Sequence, residues 1–162
     1  IAFGLMLELT RRIGFENARL KAGAPWQTTV GRDLEGLTLG ILGLGKLGQR
    51  SAAVGKAFGM KTITWSQNLT EEKAKAAGAD YVSKDDLFRN ADFVTIHLVL
   101  SDRSRGLVGA KELGLMKKSA YLINTSRGDV MDYEALRDAI RDKKLRVALD
   151  VFADEPATAS CA

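Results

Sequence analysis

The sequence predicts an α/β protein with a mainly parallel, doubly wound sheet of about six or seven strands and helices on both faces. Two observations support this fold. Between residues 37 and 150, short apolar or β-branched runs alternate with helical segments, and such alternation is typical of a parallel sheet. The first run is followed by GLGKLG, Gly43 to Gly48, whose G-x-G-x-x-G spacing is typical of the first turn of a Rossmann-type fold. We therefore expect this turn where the strand order reverses.

Each element is predicted from a local pattern. Apolar residues at near-helical spacing predict one helix over residues 1–22, which Gly23-Ala24-Pro25 ends. Further helices are predicted at residues 49–58, 70–77, 84–89, 110–116 and 132–141. Strands are predicted at residues 38–42, 61–65, 79–82, 92–98, 120–124 and 146–150.

The composition is that of one globular domain. Of the 162 residues, 46% are apolar and 27% are charged, an ordinary balance for a chain that buries its own core. We expect the domain to cover residues 1–156 and residues 157–162 to form a frayed tail. The chain opens at Ile1, inside an apolar stretch, which favours a processed product or a fragment.

The cysteine count, hydropathy and charge argue against a disulfide-rich, a membrane-spanning or a nucleic-acid-binding protein. The single cysteine, Cys161, excludes an internal disulfide framework and is typical of a reducing compartment. No apolar run reaches the ~18 residues of a membrane span, so we predict a cytoplasmic protein without a membrane partner. The net charge of +4 resides partly in short basic pairs and only 7% of residues are aromatic. Solvated surface is therefore predicted rather than a nucleic-acid interface.

The glycine turn has a separate physical reason for each glycine. Gly43 makes the tight turn, Gly45 lets the backbone approach a pyrophosphate, and Gly48 allows close packing of helix against strand. The amides of Lys46 and Leu47 then point at the phosphates from the positive end of a helix. A glycine turn without a ligand is the alternative, and the flanking strand and helix argue against it.

The residue after the second strand bears on the choice of cofactor. A Rossmann-type turn is usually followed, about 20 residues on, by an acidic residue that binds the adenosine ribose. Ser66 occupies that position here. Serine can hydrogen-bond a hydroxyl but does not repel a 2′-phosphate, and no arginine lies beside it in the sequence. NAD and NADP are therefore both candidates.

Two later segments also follow strands, where ligands of open α/β sheets bind. NTSRGDVMD, residues 124–132, contains Arg127, whose planar guanidinium suits a carboxylate; a surface salt bridge is the alternative. LDVFADEP, residues 149–156, contains Asp150 and Glu155. A carboxylate there could orient a histidine or bind a cofactor amide. Taken alone, this segment is better interpreted as an acidic surface loop.

Five motifs of the chain resemble those of one enzyme family. GLGKLG, WSQN, IHLVLS, NTSRG and DVFADEP are similar, in order and spacing, to the D-isomer-specific 2-hydroxyacid dehydrogenases. The most similar group contains D-3-phosphoglycerate dehydrogenase and glyoxylate/hydroxypyruvate reductase, and the resemblance covers residues 1–156. It implies an oxidoreductase that transfers a hydride between a nicotinamide cofactor and a 2-hydroxy or 2-keto acid.

The resemblance also implies residue roles. Leu98 lines the adenosine side, Thr125 lies by the nicotinamide ribose, and Asp150 binds the nicotinamide end. Arg127 matches the arginine that holds the substrate carboxylate and polarises its carbonyl. Glu155 matches the glutamate that orients the catalytic histidine. No metal site is implied.

The chain also departs from the family pattern. We expect the substrate-recognising domain and the catalytic histidine, which should follow DVFADEP, to be missing here, and the chain alone to be inactive. The only histidine, His97, resembles a strand-end histidine of the family and is interpreted as structural. A non-catalytic nucleotide-binding or dimerisation module is therefore the alternative. In either case we expect a homodimer, because the family associates through its cofactor domains and the apolar helix over residues 1–22 suits such a contact.

Overall fold

The computed structural model describes residues 1–143 and 145–155. Its strands are β1 (Thr38–Leu42), β2 (Lys61–Trp65), β3 (Asp80–Tyr81), β4 (Phe93–Ile96), β5 (Tyr121–Asn124) and β6 (Arg146–Leu149). They form one six-stranded sheet in the order β3-β2-β1-β4-β5-β6, and each neighbouring pair is parallel. This is the strand order of the doubly wound dinucleotide-binding fold, so the predicted fold class is confirmed.

The α-helices of the described residues connect and cover these strands. They are α1 (Ala2–Arg11), α2 (Ile13–Lys21), α3 (Lys46–Ala57), α4 (Glu71–Ala76), α5 (Lys84–Asn90), α6 (Ala110–Leu115) and α7 (Tyr133–Lys143). Helix α3 begins at Lys46, directly after its N-cap Gly45, and not at residue 49 as predicted. A short 3₁₀ helix at Gly128–Val130 was not predicted.

Strand β1 lies at the point where the strand order reverses. Its last residue, Leu42, pairs with Trp65 of β2 on one side and with Ile96 of β4 on the other. The chain first winds outward through β2 and β3 and then crosses to β4. The glycine turn follows Leu42 directly, so its predicted place at the switch point is confirmed.

Both faces of the sheet are buried beneath helices. Leu39 and Phe93 pack with Met6 of α1 on one face, whereas Val94 packs with Leu87 of α5 on the other. Burying a large apolar side chain of this kind stabilises the fold by roughly 1.5–3 kcal/mol. Two-sided burial is expected of parallel strands and explains their nearly continuous apolar sequences.

The N-terminal segment differs from the prediction. Instead of one helix over residues 1–22, α1 and α2 meet at Arg12, whose φ of 51° is left-handed. The Arg12 amide donates to the Glu8 carbonyl at 2.8 Å, and the Glu8 carboxylate accepts from the Gly14 amide at 2.9 Å. Helix α1 buries Met6 and Thr10, whereas α2 buries no residue. The apolar spacing therefore did not indicate one continuous buried face.

Two sequence predictions concern the C-terminal end. The domain boundary at residue 156 and the tail over residues 157–162 lie outside the described residues, and the domain assignment stays a prediction. Among the described residues, no helix is both long enough and apolar enough to cross a bilayer.

Candidate functional site

The predicted site residues follow the carboxyl ends of strands at one edge of the sheet. They are the glycine turn after β1, Ser66 after β2, Leu98 after β4, Thr125 and Arg127 after β5, and Asp150 and Glu155 after β6. Because all strands are parallel, these ends share the edge at which ligands of open α/β sheets bind. The structure therefore brings segments that are distant in sequence to one crevice.

Two glycines of the turn are required by close backbone approach. Gly43 has a φ of 101°, and a Cβ there would lie 2.8 Å from the carbonyl oxygen of His97. A Cβ at Gly48 would lie 2.1 Å from the carbonyl oxygen of Gly43. Neither distance leaves room for a side chain, so the turn packs directly against the residues that follow β4, and the start of α3 packs against the turn.

Gly45 is different, because its α-carbon faces open space. A Cβ at Gly45 would meet no atom within 4 Å, and its extended backbone, with φ −74°, suits any residue. Gly45 is the N-cap of α3 and no side chain caps this helix. The exposed amide end of a helix favours an anion. Lys46 and Leu47, the next two residues, are both exposed beside it.

The residues predicted on the adenosine side, Ser66 and Leu98, follow β2 and β4, the two strands that flank β1 and its glycine turn. The side chain of Leu98 is half-buried and reaches 3.0 Å from the position of a Cβ on Gly43. Ser66 is half-buried, and its carbonyl accepts from the Leu69 amide at 3.1 Å in a turn that exposes Gln67 and Asn68. The Ser66 hydroxyl thus stands at the end of β2 without a neighbouring carboxylate in sequence.

Asn124 shapes the loop that carries Arg127. Its fully buried side chain donates from Nδ2 to the Arg127 carbonyl at 2.9 Å and accepts at Oδ1 from the Ser126 amide at 3.0 Å. Arg127 is exposed, and its Nη1 donates to the Ser126 carbonyl at 2.7 Å. Within the described ranges it forms no ion pair. The surface salt bridge considered as its alternative role is therefore not observed there.

A tight backbone contact joins this loop to the segment after β6. A Cβ at Gly128 would lie 2.2 Å from the carbonyl carbon of Phe152. The Asp150 amide donates to the Asn124 carbonyl at 3.0 Å. Glu155 accepts from the Phe152 amide at 2.9 Å, and both carboxylates are exposed. The acidic segment is thus held beside the Arg127 loop.

His97 directly follows β4, and its ring forms hydrogen bonds to two buried side chains. Its Nε2 is 3.0 Å from Ser51 Oγ on α3 and 3.1 Å from Thr95 Oγ1. Burial lowers the pKa of His97 below its ordinary value of 6.5, because desolvation disfavours the charged imidazolium. A neutral ring held by two hydroxyls agrees with the structural role predicted for it.

Comparison with known proteins identifies the family. The profile of the D-isomer specific 2-hydroxyacid dehydrogenase, NAD binding domain, matches residues 3–162. The chain belongs to this family. The matched region is the NAD-binding domain of this family.

Relatives of this NAD-binding domain include enzymes named for several acids. Glyoxylate reductase of Aeropyrum pernix is 48% identical over 139 residues, which cover 85% of this chain. Phosphoglycerate oxidoreductase of Vibrio cholerae has a TM-score of 0.90 at 36% identity over 97% of this chain. D-lactate dehydrogenase of Aquifex aeolicus, solved with NAD and lactic acid, has a TM-score of 0.87 at 35% identity over 95% of this chain. The chain spans 42%, 51% and 47% of these three proteins, respectively.

Sequence reasoning missed three residues that support the site of this NAD-binding domain. Asn124 ends a strand and precedes a serine, a pattern that can signal a side chain bonding to the backbone two residues on. Gly128 carried no local signal, because its constraint comes from Phe152, far away in sequence. Ser51 was hidden within an alanine-rich helix.

Two grooves of the domain lie away from the glycine turn. One of about 420 Å³ is lined by α1, α2 and the following loop, and includes Trp26; another of about 780 Å³ reaches Tyr121 and Arg146 at the amino ends of β5 and β6. The described residues contain no group of three His, Cys, Asp or Glu side chains able to hold a metal ion.

Protonation of His97 should lower the stability of the domain at acidic pH. Folding lowers the pKa of His97 below 6.5. The contribution of the neutral ring to the free energy of unfolding is therefore fully present above pH 6.5. It is lost as the pH falls through the lower pKa of the folded state. Denaturant unfolding from about pH 7.5 to about pH 5 should show a decline of at most about 1.4 kcal/mol per pH unit from this group. The His97→Gln variant, which cannot titrate, should lack this component. If the free energy of unfolding depends on pH in the same way in both proteins, His97 is not the titrating group.

Proposed function

We propose that this chain is the cofactor-binding part of a dehydrogenase that transfers a hydride between a nicotinamide and a 2-hydroxy or 2-keto acid. One observation carries the proposal: an open glycine turn, an exposed arginine and two exposed carboxylates meet at the same sheet edge. The names of the relatives, which include glyoxylate reductase and phosphoglycerate oxidoreductase, support small 2-oxygenated acids as the substrate class.

The glycine turn fits a pyrophosphate. The open space beside Gly45 admits the close approach of phosphate oxygens, and the uncapped start of α3 presents amide donors to them. We assign the amides of Lys46 and Leu47 to these phosphates, and Gly43 and Gly48 to the shape of the turn. When bound, NAD supplies the hydride chemistry, while the protein positions it and supplies charge.

Arg127 is proposed to bind the substrate carboxylate. Its guanidinium is exposed and unpaired with any acid of the described residues, while Asn124 fixes its backbone. A planar guanidinium binds a carboxylate through two parallel hydrogen bonds. The same charge polarises the adjacent carbonyl and stabilises negative charge that develops on its oxygen. Arg127 would thus both orient the substrate and promote its reduction.

The remaining predicted site residues are assigned by their position at the carboxyl-end edge of the sheet. Thr125 would lie by the nicotinamide ribose, Asp150 by the nicotinamide end, and Leu98 against the adenosine.

Glu155 uses one carboxylate oxygen to accept from the Phe152 amide, which leaves the other oxygen for a histidine. That proton donor would come from elsewhere in a longer parent protein, because the only histidine of these 162 residues, His97, bonds to Ser51. The same fact favours the alternative, a non-catalytic nucleotide-binding module.

Calorimetric titration with NADH and NADPH tests the cofactor assignment. We propose that Ser66 permits both cofactors, since it carries no charge to repel a 2′-phosphate. Ser66→Asp should weaken NADPH binding by about 100-fold through like-charge repulsion, with NADH affinity retained within about threefold. Asn68→Asp, which adds the same charge at an exposed position of the same turn, is the matched control. Equal losses for both cofactors, or no binding of either by the unsubstituted chain, would contradict the assignment.

The chain is also proposed to form a homodimer, with the contact shifted from that predicted. The apolar residues of α1 pack on the sheet, whereas α2 and the following loop expose large side chains. These are Ile13, Phe15, Leu20, Trp26 and Val30, at 55%, 44%, 51%, 80% and 98% exposure. Ile13, Leu20 and Trp26 line the same groove, and exposed apolar side chains clustered in this way are typical of an interface.

Light scattering measures this association directly. We expect a dimer for the unsubstituted chain and a monomer for Trp26→Glu, because Trp26 is 80% exposed and a charge there opposes association without disturbing the core. Tyr81→Glu, at the far edge of the sheet, should remain dimeric as the control. A monomer at high concentration before any substitution would rule the proposal out.

A further inference from the structure

We propose that His97 is a positioning residue that fixes the pyrophosphate-binding turn by holding α3 through Ser51. The inference rests on the proposed cofactor site and adds a residue to it. None of the roles assigned above requires a histidine at this position.

The backbone of His97 packs against the glycine turn. Its amide donates to the carbonyl of Leu42, the residue before Gly43, at 2.8 Å. Its own carbonyl oxygen lies 2.8 Å from the position that a Cβ on Gly43 would take. His97 therefore lies in contact with the base of the turn, where small displacements are passed on to Gly43.

The side chain of His97 reaches the helix that follows the turn. Its Nε2 lies 3.0 Å from Ser51 Oγ, and Ser51 is buried on α3. The other buried residues of α3 are Gly48, Ala52 and Gly55, which allow close contact but form no side-chain hydrogen bond. In the part of the chain that the structure describes, no other side-chain hydrogen bond joins α3 to a strand.

A directional bond at Ser51 bears on ligand binding because α3 begins at the site. The amide donors that we assign to the pyrophosphate belong to the first turn of α3, and Ser51 lies on the next turn of the same helix. Binding groups must be held to within about 0.5 Å of their productive geometry by supporting contacts. Packing of small residues alone permits sliding, which a hydrogen bond to a strand end opposes. Thr95, whose Oγ1 is 3.1 Å from Nε2, keeps the ring in place.

The test compares cofactor affinities of folded variants. His97→Leu and Ser51→Ala should each weaken NADH and ADP binding by about tenfold, within the coupling expected of residues in contact. The double variant should be no weaker than His97→Leu, because both changes remove the same bond. His97→Gln, whose amide reaches about as far as Nε2, should restore most of the affinity. Adenosine, which has no phosphate, should bind all variants within about twofold of the unsubstituted chain.

Thr62→Val is the matched control. It removes a buried side-chain hydrogen bond of similar length, 2.9 Å to the Gly78 carbonyl, that does not join α3. Its NADH affinity should be unchanged even if its melting temperature falls. The inference is overturned if His97→Leu and Ser51→Ala lower the melting temperature but keep the NADH affinity, or if adenosine and ADP weaken equally. Failure of the unsubstituted chain to bind NADH would instead overturn the proposed cofactor site.

Discussion

Gly45→Val should abolish NADH binding by the chain and leave its fold intact. The substitution is sterically harmless to the protein, because a Cβ at Gly45 meets no atom within 4 Å and the backbone conformation there suits any residue. The valine side chain would occupy the space through which the pyrophosphate must approach the amides of α3. We expect the dissociation constant for NADH to rise by at least about 100-fold, equivalent to about 2.7 kcal/mol of binding free energy.

Two matched variants separate this effect from simple loss of stability. Gly4→Val introduces the same side chain at another exposed position with open space, on helix α1, and should bind NADH normally. Gly48→Val should unfold or strongly destabilise the domain, because its Cβ would lie 2.1 Å from the Gly43 carbonyl oxygen. Circular dichroism and calorimetry distinguish the three outcomes. Normal affinity in a folded Gly45→Val variant would show that the pyrophosphate does not bind at this turn.

The fold was predictable because its signals are local. Parallel strands buried on both faces give nearly continuous apolar runs, as in the TLGIL of β1. The glycine spacing reports contacts within a few residues, since Gly48 packs on the carbonyl of Gly43. The edge of the sheet at which Arg127 and Asp150 meet then follows from the parallel alternation alone. Their chemical roles stay predictions.

The features that escaped prediction depend on distant or weakly constrained residues. Gly128 must be glycine because Phe152 packs against it, and no local pattern reports that contact. The left-handed Arg12 divides the N-terminal segment although arginine is a good helix former, and the helix after it buries no residue. The apolar residues of α2 were therefore misinterpreted as the continuation of one helix over residues 1–22.

A polypeptide of these 162 residues should bind NADH but reduce glyoxylate or hydroxypyruvate at no more than a trace rate. A positioned general acid contributes roughly 10²- to 10⁴-fold to such a reaction, and the single histidine of these residues, His97, bonds to Ser51 rather than to Glu155. Closure over the substrate adds positioning and water exclusion, whereas Gly45 and Arg127 are exposed here. We expect a turnover lower by at least about 10²-fold than that of a full-length relative.

The assay is oxidation of saturating NADH, with full-length glyoxylate reductase of Aeropyrum pernix as the reference. Saturation removes differences in cofactor affinity from the comparison. His97 could replace the missing acid only by releasing Ser51 and Thr95, which hold its Nε2 at 3.0 and 3.1 Å. Its lowered pKa also leaves it without a second proton at neutral pH. A turnover close to that of the reference would therefore mean that His97 leaves these bonds during turnover, or that another group donates the proton.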